Sequence, residues 1–338
     1  MKAIVLAAGM STRTYPLTLT RPKPLLPLLD RPLLAHTLEH LAAVVEEAVV
    51  VVNYRAAMIE DWFGDAYADL ALRYVMQHEP RGTADAVAAA RGLVGGEFLV
   101  VNGDDYYAFA NVEAVAAAAG AAVLGAAVGS SSRFGVLKAE GGRLAGLDEK
   151  PRSGGAARVN AGLYKVTEEI FEDVAALAPS PRGELEFTAA LMAYAARHPV
   201  AVVAAPGPWF PIGAPADLLS AQLALWPAGR DVIAGARLRL DAEAQLGPRC
   251  VLGDGCEVGA GALVETSLLL DRVRVADGAL VTGSVLGEGA VVEERAMVNG
   301  AALGDGARVG VGARLAPGAR VWPRVRVEPG DYVTGDRM

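Results

Sequence analysis

The chain opens with hydrogen-bond donors. Gly9, Ser11, Thr12 and Arg13 set free amides, two hydroxyls and a guanidinium in one turn directly after the apolar run Ala3 to Ala8, and Lys23 follows between Pro22 and Pro24. Donors and cations gathered this way suit an anion. Asn102-Gly103-Asp104-Asp105 follows a second apolar run, where carboxylates suit a hard cation such as Mg2+ beside phosphates. Gln77 stands ahead of the pair Gly82-Thr83 and offers both a donor and an acceptor. Glu149-Lys150-Pro151 joins a carboxylate to an ammonium, which alone is no more than an exposed ion pair. Simpler readings stand beside these. The first turn does not end in the Gly-Lys-Ser/Thr of the Walker pattern and also reads as a plain strand-turn with surface charges. Asp104 and Asp105 also read as a loop start, and Thr83 with Asp85 as a helix cap.

The elements that must position these residues alternate. The run before Gly9 is too short for helical periodicity and reads as a buried parallel strand. Gly9 is expected to turn the chain at positive φ. Pro16 and Pro22 should then forbid helix and leave an extended segment that returns Lys23 past the strand's carboxyl end, where open α/β sheets bind ligands. Helical spacing over 32–47, 56–63, 84–91 and 112–119 alternates with apolar runs over 48–52, 71–76, 98–101 and 121–128, the rhythm of a doubly wound sheet. Strands near 135–139 and 144–148, joined by Gly141 and Gly142, read as an antiparallel excursion. A strand over 156–166, helices near 168–176 and 186–195, a strand over 200–204 and a helix over 215–225 complete the first part.

Beyond Trp226 to Gly229 a period of six takes over. Leu246, Leu252, Val258, Val264, Leu270 and Ala276 keep that interval, as do Leu286, Val292 and Val298. After a slip, Leu303, Val309, Leu315, Val321, Val327 and Val333 resume it. One inward aliphatic per six residues, with small residues at the corners, is what a three-faced parallel β-helix requires. The pattern resembles the hexapeptide-repeat family of left-handed β-helices, and the handedness is implied by that resemblance alone.

The chain has 338 residues, 53% of them apolar, enough for two domains, read as 1–230 and 231–338. With 31 basic against 39 acidic residues it does not favour nucleic acid or an anionic membrane as partner. Cys250 and Cys256 have no histidine near them and match neither a zinc set nor a disulfide framework, which suits a reduced, cytoplasmic setting. No apolar tract reads as a signal peptide or a membrane span.

From Leu6 to Pro215 the strings resemble, in order, the sugar-1-phosphate nucleotidyltransferases, whose signature is usually Gly-x-Gly-Thr-Arg followed by Pro-Leu-Thr and Pro-Lys-Pro. Ser11 stands where that family often has its second glycine, and Thr14 where it often has leucine. The resemblance implies a Rossmann-like doubly wound mixed sheet followed by the left-handed β-helix. It also implies a Mg2+-assisted reaction of the EC 2.7.7 class, joining a sugar 1-phosphate to UTP or dTTP with release of pyrophosphate. It assigns Arg13, Lys23 and Lys150 to phosphates and Asp104 to the metal. The nucleotide lies along Leu6, Ala7, Ala8, Gly9, Ser11 and Thr12 and against Gln77, Gly82, Thr83, Asn102 and Gly103. The sugar meets Gly135, Glu149 and Asn160. Gln77 and the Gly82 backbone each offer a donor and an acceptor that match the edge of uracil or thymine. Guanylyltransferases of similar architecture also tend to have Glu-Pro-x-Gly-Thr, so only Gln77 tilts the base toward a pyrimidine. Assembly of copies through the β-helix is expected.

One departure stands out. The family's Trp-x-Asp-Ile-Gly-Thr-Pro, whose aspartate is the second metal ligand, reads Trp-Phe-Pro-Ile-Gly-Ala-Pro here, with Pro211 in the aspartate's place. Two alternatives follow from the resemblance, a catalytically idle sugar-nucleotide-binding subunit and a GTP-using mannose-1-phosphate guanylyltransferase. An added acyltransferase activity in the β-helix is disfavoured, because His36, His40, His78 and His198 all precede it. His36 and His40, one helical turn apart, read as a solvated helix edge.

Overall fold

The computed structural model describes residues 1–151 and 154–338. From β1 (Lys2–Leu6) the chain runs through α1 (Leu33–Ala42), β2 (Glu47–Val52), α2 (Ala56–Phe63), β3 (Ala66–Tyr67), β4 (Leu70–Met76) and α3 (Thr83–Ala89). It continues through β5 (Glu97–Asn102), β6 (Asp105–Tyr107), α4 (Phe109–Ala116), β7 (Ala122–Val128), β8 (Gly135–Glu140), β9 (Arg143–Glu149) and β10 (Ala157–Thr167). The helices α5 (Ile170–Ala175) and α6 (Phe187–Ala195) and the strands β11 (Ala201–Ala204) and β12 (Trp209–Pro211) follow. The chain forms two compact units, Met1–Gly9 with Leu33–Pro211, and Met10–Pro32 with Ile212–Met338.

In the first unit ten strands form one mixed sheet in the order β8-β9-β11-β7-β10-β5-β1-β2-β4-β3. The strands β5, β1, β2 and β4 are mutually parallel, and β1 is apolar and buried because both its faces are covered. The expected excursion is present, since β8 pairs antiparallel with β9 through the positive-φ glycines Gly141 and Gly142. Phe98, Tyr164, Phe171, Phe187 and Tyr194 gather with the helices α3, α5 and α6 in one core cluster. Helix α4 begins three residues earlier than its apolar spacing suggested, at Phe109.

The second unit begins with Met10–Pro32, where the expected extended segment is replaced by three single-turn 3-10 helices, Thr12–Thr14, Leu17–Leu19 and Lys23–Leu25. Proline blocks a continuing α-helix but tolerates a single turn at its first positions, as Pro24 does. Helix α7 (Pro215–Ala224) then leads into a parallel β-helix of the left-handed type, whose three sheets hold seven, six and six strands.

The inward register departs from the expected hexads. Val264 is followed inward by Leu269 and Val275 rather than by Leu270 and Ala276, and the same shortening recurs from Val281 to Leu286 and from Val298 to Leu303. One corner is a residue tighter there, so Leu269 sits beside Leu286 and Val281 beside Val298 at an interval of seventeen. Buried serines close that corner, where Ser284 Oγ donates to the Thr282 carbonyl at 2.7 Å and accepts the Ala301 N–H at 3.1 Å. Cys250 and Cys256 lie in this core, and burial pushes the Cys256 thiol up to about 11. Among the described residues, no helix is long and apolar enough to cross a membrane.

Candidate active site

Strand β1 sends the chain toward β2 on one side, and β5 later returns on the other, so the winding reverses between β1 and β5. Crevices at the carboxyl ends of such strands are where open α/β sheets take ligands. Leu6 is in register with Asn102 there, and Gly103 N–H donates to the Leu6 carbonyl at 2.9 Å. A Cβ on Gly103 would come 2.8 Å from Val5 Cγ1, so this glycine is required by close strand packing. Ala7 and Ala8 leave β1 buried, and Asp104 leaves β5 half-buried.

The donor turn lies in the other unit. Its left-handed residue is Ser11, at φ 51°, and not the expected Gly9. Thr14 Oγ1 and Thr18 Oγ1 both donate to the Ser11 carbonyl, at 2.7 and 2.9 Å, and hold a conformation that costs a non-glycine residue some strain. Thr14, expected only as a stand-in for leucine, is thus a brace of the turn. Thr12 and Arg13 are exposed, whereas Lys23 is only 4% exposed. Water does not screen a buried ammonium as it screens an exposed one.

Beyond β4, Gln77 is buried beside Gly82. Its Nε2 donates to the Gly82 carbonyl at 3.0 Å and to Asp85 Oδ2 at 2.9 Å, while Asp85 Oδ1 takes Arg81 Nη2 at 2.7 Å. The expected cap is absent, since the α3 N-cap is Gly82, which has no side chain to make a capping hydrogen bond. Thr83 Oγ1 instead accepts the Phe187 N–H at 2.9 Å and ties α3 to α6. Gly82, at φ 123°, lies so close to the Leu185 backbone that no side chain fits.

Gly135 and Glu149 face each other across β8 and β9, and a Cβ on Gly135 would meet Glu149 Oε1 at 3.3 Å. Thr188, which no motif singled out, donates to Glu149 Oε1 at 3.1 Å. Lys150 turns the chain at φ 46°. Burial raises Glu186, but the Ser180 hydroxyl, Arg182 and Lys150 together hold its carboxyl below the ordinary range. Asn160 sits in a β-bulge and bonds within it, with Nδ2 donating to Tyr164 Oη at 2.7 Å and Oδ1 accepting the Gly162 N–H at 3.0 Å.

Strands β6 and β12 form a separate two-stranded ribbon in which Pro211 lies directly opposite Asp105. Asp105 is 8% exposed, and burial together with its charge holds the neighbouring Tyr107 phenol well above the ordinary range. His36 and His40 pack edge-on against Tyr106 of this ribbon, and His40 Nδ1–H donates to the Tyr107 carbonyl at 2.9 Å. They are therefore part of a packed seam and not a solvated helix edge. Among the described residues, no group of three or more histidine, cysteine or carboxylate side chains gathers as a metal site.

Residues 2–226 match the nucleotidyl transferase family, and residues 229–332 match the GMPPB C-terminal domain. The bifunctional protein GlmU of Methanococcus maripaludis is 34% identical over 225 residues, which cover 66% of this chain and 54% of that protein. The chain thus spans about half the length of this relative. The mannose-1-phosphate guanylyltransferase catalytic subunit beta of Dictyostelium discoideum is 31% identical over 231 residues, covering 65% of this chain and 63% of that protein. Among solved structures, a UDP-glucose pyrophosphorylase complexed with UDP-glucose shares the fold, with a TM-score of 0.59 at 24% identity, over 67% of this chain and 98% of the other. A putative glucose-1-phosphate thymidylyltransferase from Bacillus anthracis also has a TM-score of 0.59, at 25% identity, over 68% of this chain and 98% of the other. With two thirds of its length matched in a single continuous span, the chain belongs to the nucleotidyl transferase family.

Proposed function

We propose that the protein joins a sugar 1-phosphate to UTP or dTTP, giving a nucleoside diphosphate sugar and pyrophosphate. The observation that carries this reading is the reversal of winding between the paired strands β1 and β5, with Asp104 just beyond the carboxyl end of β5 and Gln77 and Gly82 beyond the carboxyl end of β4 in the same parallel run. An oxygen of the sugar phosphate attacks the α-phosphorus, the new P–O bond forms, and the bond to the bridging oxygen of the leaving pyrophosphate breaks. A phosphate monoester is already an anion near neutral pH, so no general base is required. Charge repulsion is the obstacle, and fixed cations and donors answer it.

Arg13 is assigned to the β- and γ-phosphates, Lys23 to the α-phosphate and Lys150 to the sugar phosphate. The Ser11 to Arg13 turn offers its amides and hydroxyls to the same tail. Glu149 and the Gly135 backbone face the sugar hydroxyls, with Asn160 beside them. The donor set at Asp104 and Asp105 is hard oxygen, too sparse for a closed cage and suited to Mg2+ shared with substrate phosphates, which would neutralise charge there. Oligomerisation through the β-helix belongs to the same reading, as does its assembly role, since residues 231–338 supply no histidine for acyl transfer.

A pyrophosphate-release assay with Mg2+ and a panel of triphosphates and sugar 1-phosphates tests the proposal. Lys23→Ala should slow turnover by about 10²- to 10³-fold at saturating substrates. Near-normal turnover would refute the assigned roles. Tight nucleotide binding with no turnover would favour the idle regulatory subunit, the reading that Pro211 supports. Use of GTP with mannose 1-phosphate would favour the guanylyltransferase, the reading supported by the match of residues 229–332.

A further inference from the structure

The Gln77 amide has one orientation open to it. Its two close partners, the Gly82 carbonyl and the Asp85 carboxylate, only accept hydrogen bonds, so the NH2 group must face them and the oxygen must face away. Among the described residues no donor reaches Gln77 Oε1. The Gly82 carbonyl is itself filled, because it accepts both Gln77 Nε2 at 3.0 Å and the Ala86 N–H at 3.1 Å. What remains for a ligand is one acceptor, Gln77 Oε1, and one donor, the Gly82 N–H. The sequence had offered both groups as donor and acceptor alike, and the fold removes half of each.

We infer that Asp85, which bonds to no position the resemblance assigned except Gln77, is the positioning residue that fixes which base edge this site accepts. The inference rests on the nucleotide-binding reading of Gln77 and Gly82. A ring N–H beside an exocyclic carbonyl oxygen, the lactam edge of uracil or thymine, complements the acceptor and donor left over. Guanine carries the same two groups in order. Cytosine seated in the same way sets its ring lone pair against Gln77 Oε1 and its amine against the Gly82 N–H, so both contacts become repulsive. Arg81 holds the second Asp85 oxygen from Nε at 3.1 Å and Nη2 at 2.7 Å and so keeps the carboxylate aimed. Asp85 acts through Gln77 and touches no substrate.

The test compares UTP with CTP in wild type, Asp85→Asn and Asp85→Ala, by kcat/KM and by the ratio of Kd values in equilibrium titration. The wild type should favour UTP by about 10²-fold or more. In Asp85→Asn the new amide can donate as well as accept, Gln77 can turn over, and the ratio should fall about tenfold or further, chiefly because CTP improves. Asp85→Ala, which leaves Gln77 unheld, should lower the ratio in the same direction. Thermal midpoints show whether each variant is folded. A parallel loss for both nucleotides, or an unchanged ratio in the folded variants, would overturn the inference. Absence of pyrophosphate release with every triphosphate would sink the enzyme reading instead, and the Kd ratios would still decide the role of Asp85.

Discussion

Arg21 and Asp305 are 284 positions apart in the sequence, and their Nη2 and Oδ2 atoms lie 2.8 Å apart. Glu288 takes the same Nη2 at 3.1 Å and also bonds to Arg272, so one guanidinium of the opening segment is held by a charged corner of the β-helix. Arg21 stands two residues before Lys23, and its side chain is 16% exposed. Removing it leaves two partly buried carboxylates facing one another. Arg21→Ala should therefore destabilise by about 1–3 kcal/mol, between the values for an exposed and a buried pair. It should also lower turnover through a displaced Lys23, while Asp305→Asn should do less of both. Denaturant melts and kcat on the same samples check this, and unchanged kcat in Arg21→Ala would detach the β-helix from catalysis.

Pro211 supplies no carboxylate, and its register with Asp105 makes a sharp test possible. Opposed residues on antiparallel strands share a face, so Pro211→Asp would set two carboxylates against each other. Without divalent cation that variant should melt below the wild type. Millimolar Mg2+ should raise its melting temperature by more than it raises the wild type's, because a cation bound only by the folded state stabilises it. Equal Mg2+ responses in the two proteins would place the metal elsewhere.

The two cysteines should be silent in the native state. Burial raises Cys250, and it pushes Cys256 up to about 11, so neither carries much thiolate at pH 8. A chromogenic disulfide reagent at that pH should titrate no thiol in the folded protein and both in denaturant. Fast reaction of either in the native protein would mean that the β-helix opens.

The sequence was most legible where local pattern and fold agree. Continuous apolar runs such as Glu47–Val52 and Glu97–Asn102 became parallel strands within a residue of their expected ends. Inward aliphatics from Leu303 to Val333 kept their six-residue register. Expectation failed where a side-chain hydrogen bond or a pairing that hydropathy does not register decides a local shape. Ser11 takes the left-handed turn because Thr14 and Thr18 brace its carbonyl, and Gly9 does not need to. Leu270 and Ala276 lost the core to Leu269 and Val275 because a tighter corner is closed by serine hydroxyls, which hydropathy does not register. The ribbon of β6 and β12 joins two three-residue strands about a hundred positions apart, too short to carry a period. Asp85 looked like a cap because helix starts favour acids, and only its neighbours show that it holds Gln77.

His40 likewise lies in a seam that helical spacing does not show, and its burial makes a pH prediction. Desolvation lowers its pKa below 6.5, although the Tyr107 carbonyl and the Glu39 charge act the other way. The folded state then binds fewer protons than the unfolded chain between the two pKa values. Stability from this residue is complete above about pH 6.5 and is lost as pH falls through the folded value. His40→Gln keeps a donor for the Tyr107 carbonyl and cannot titrate. The wild type should therefore lose more melting temperature than His40→Gln when both are taken from pH 7.5 to pH 5.5. Equal losses would mean that the seam between α1 and the ribbon opens to water and lets His40 titrate as it does in the unfolded chain.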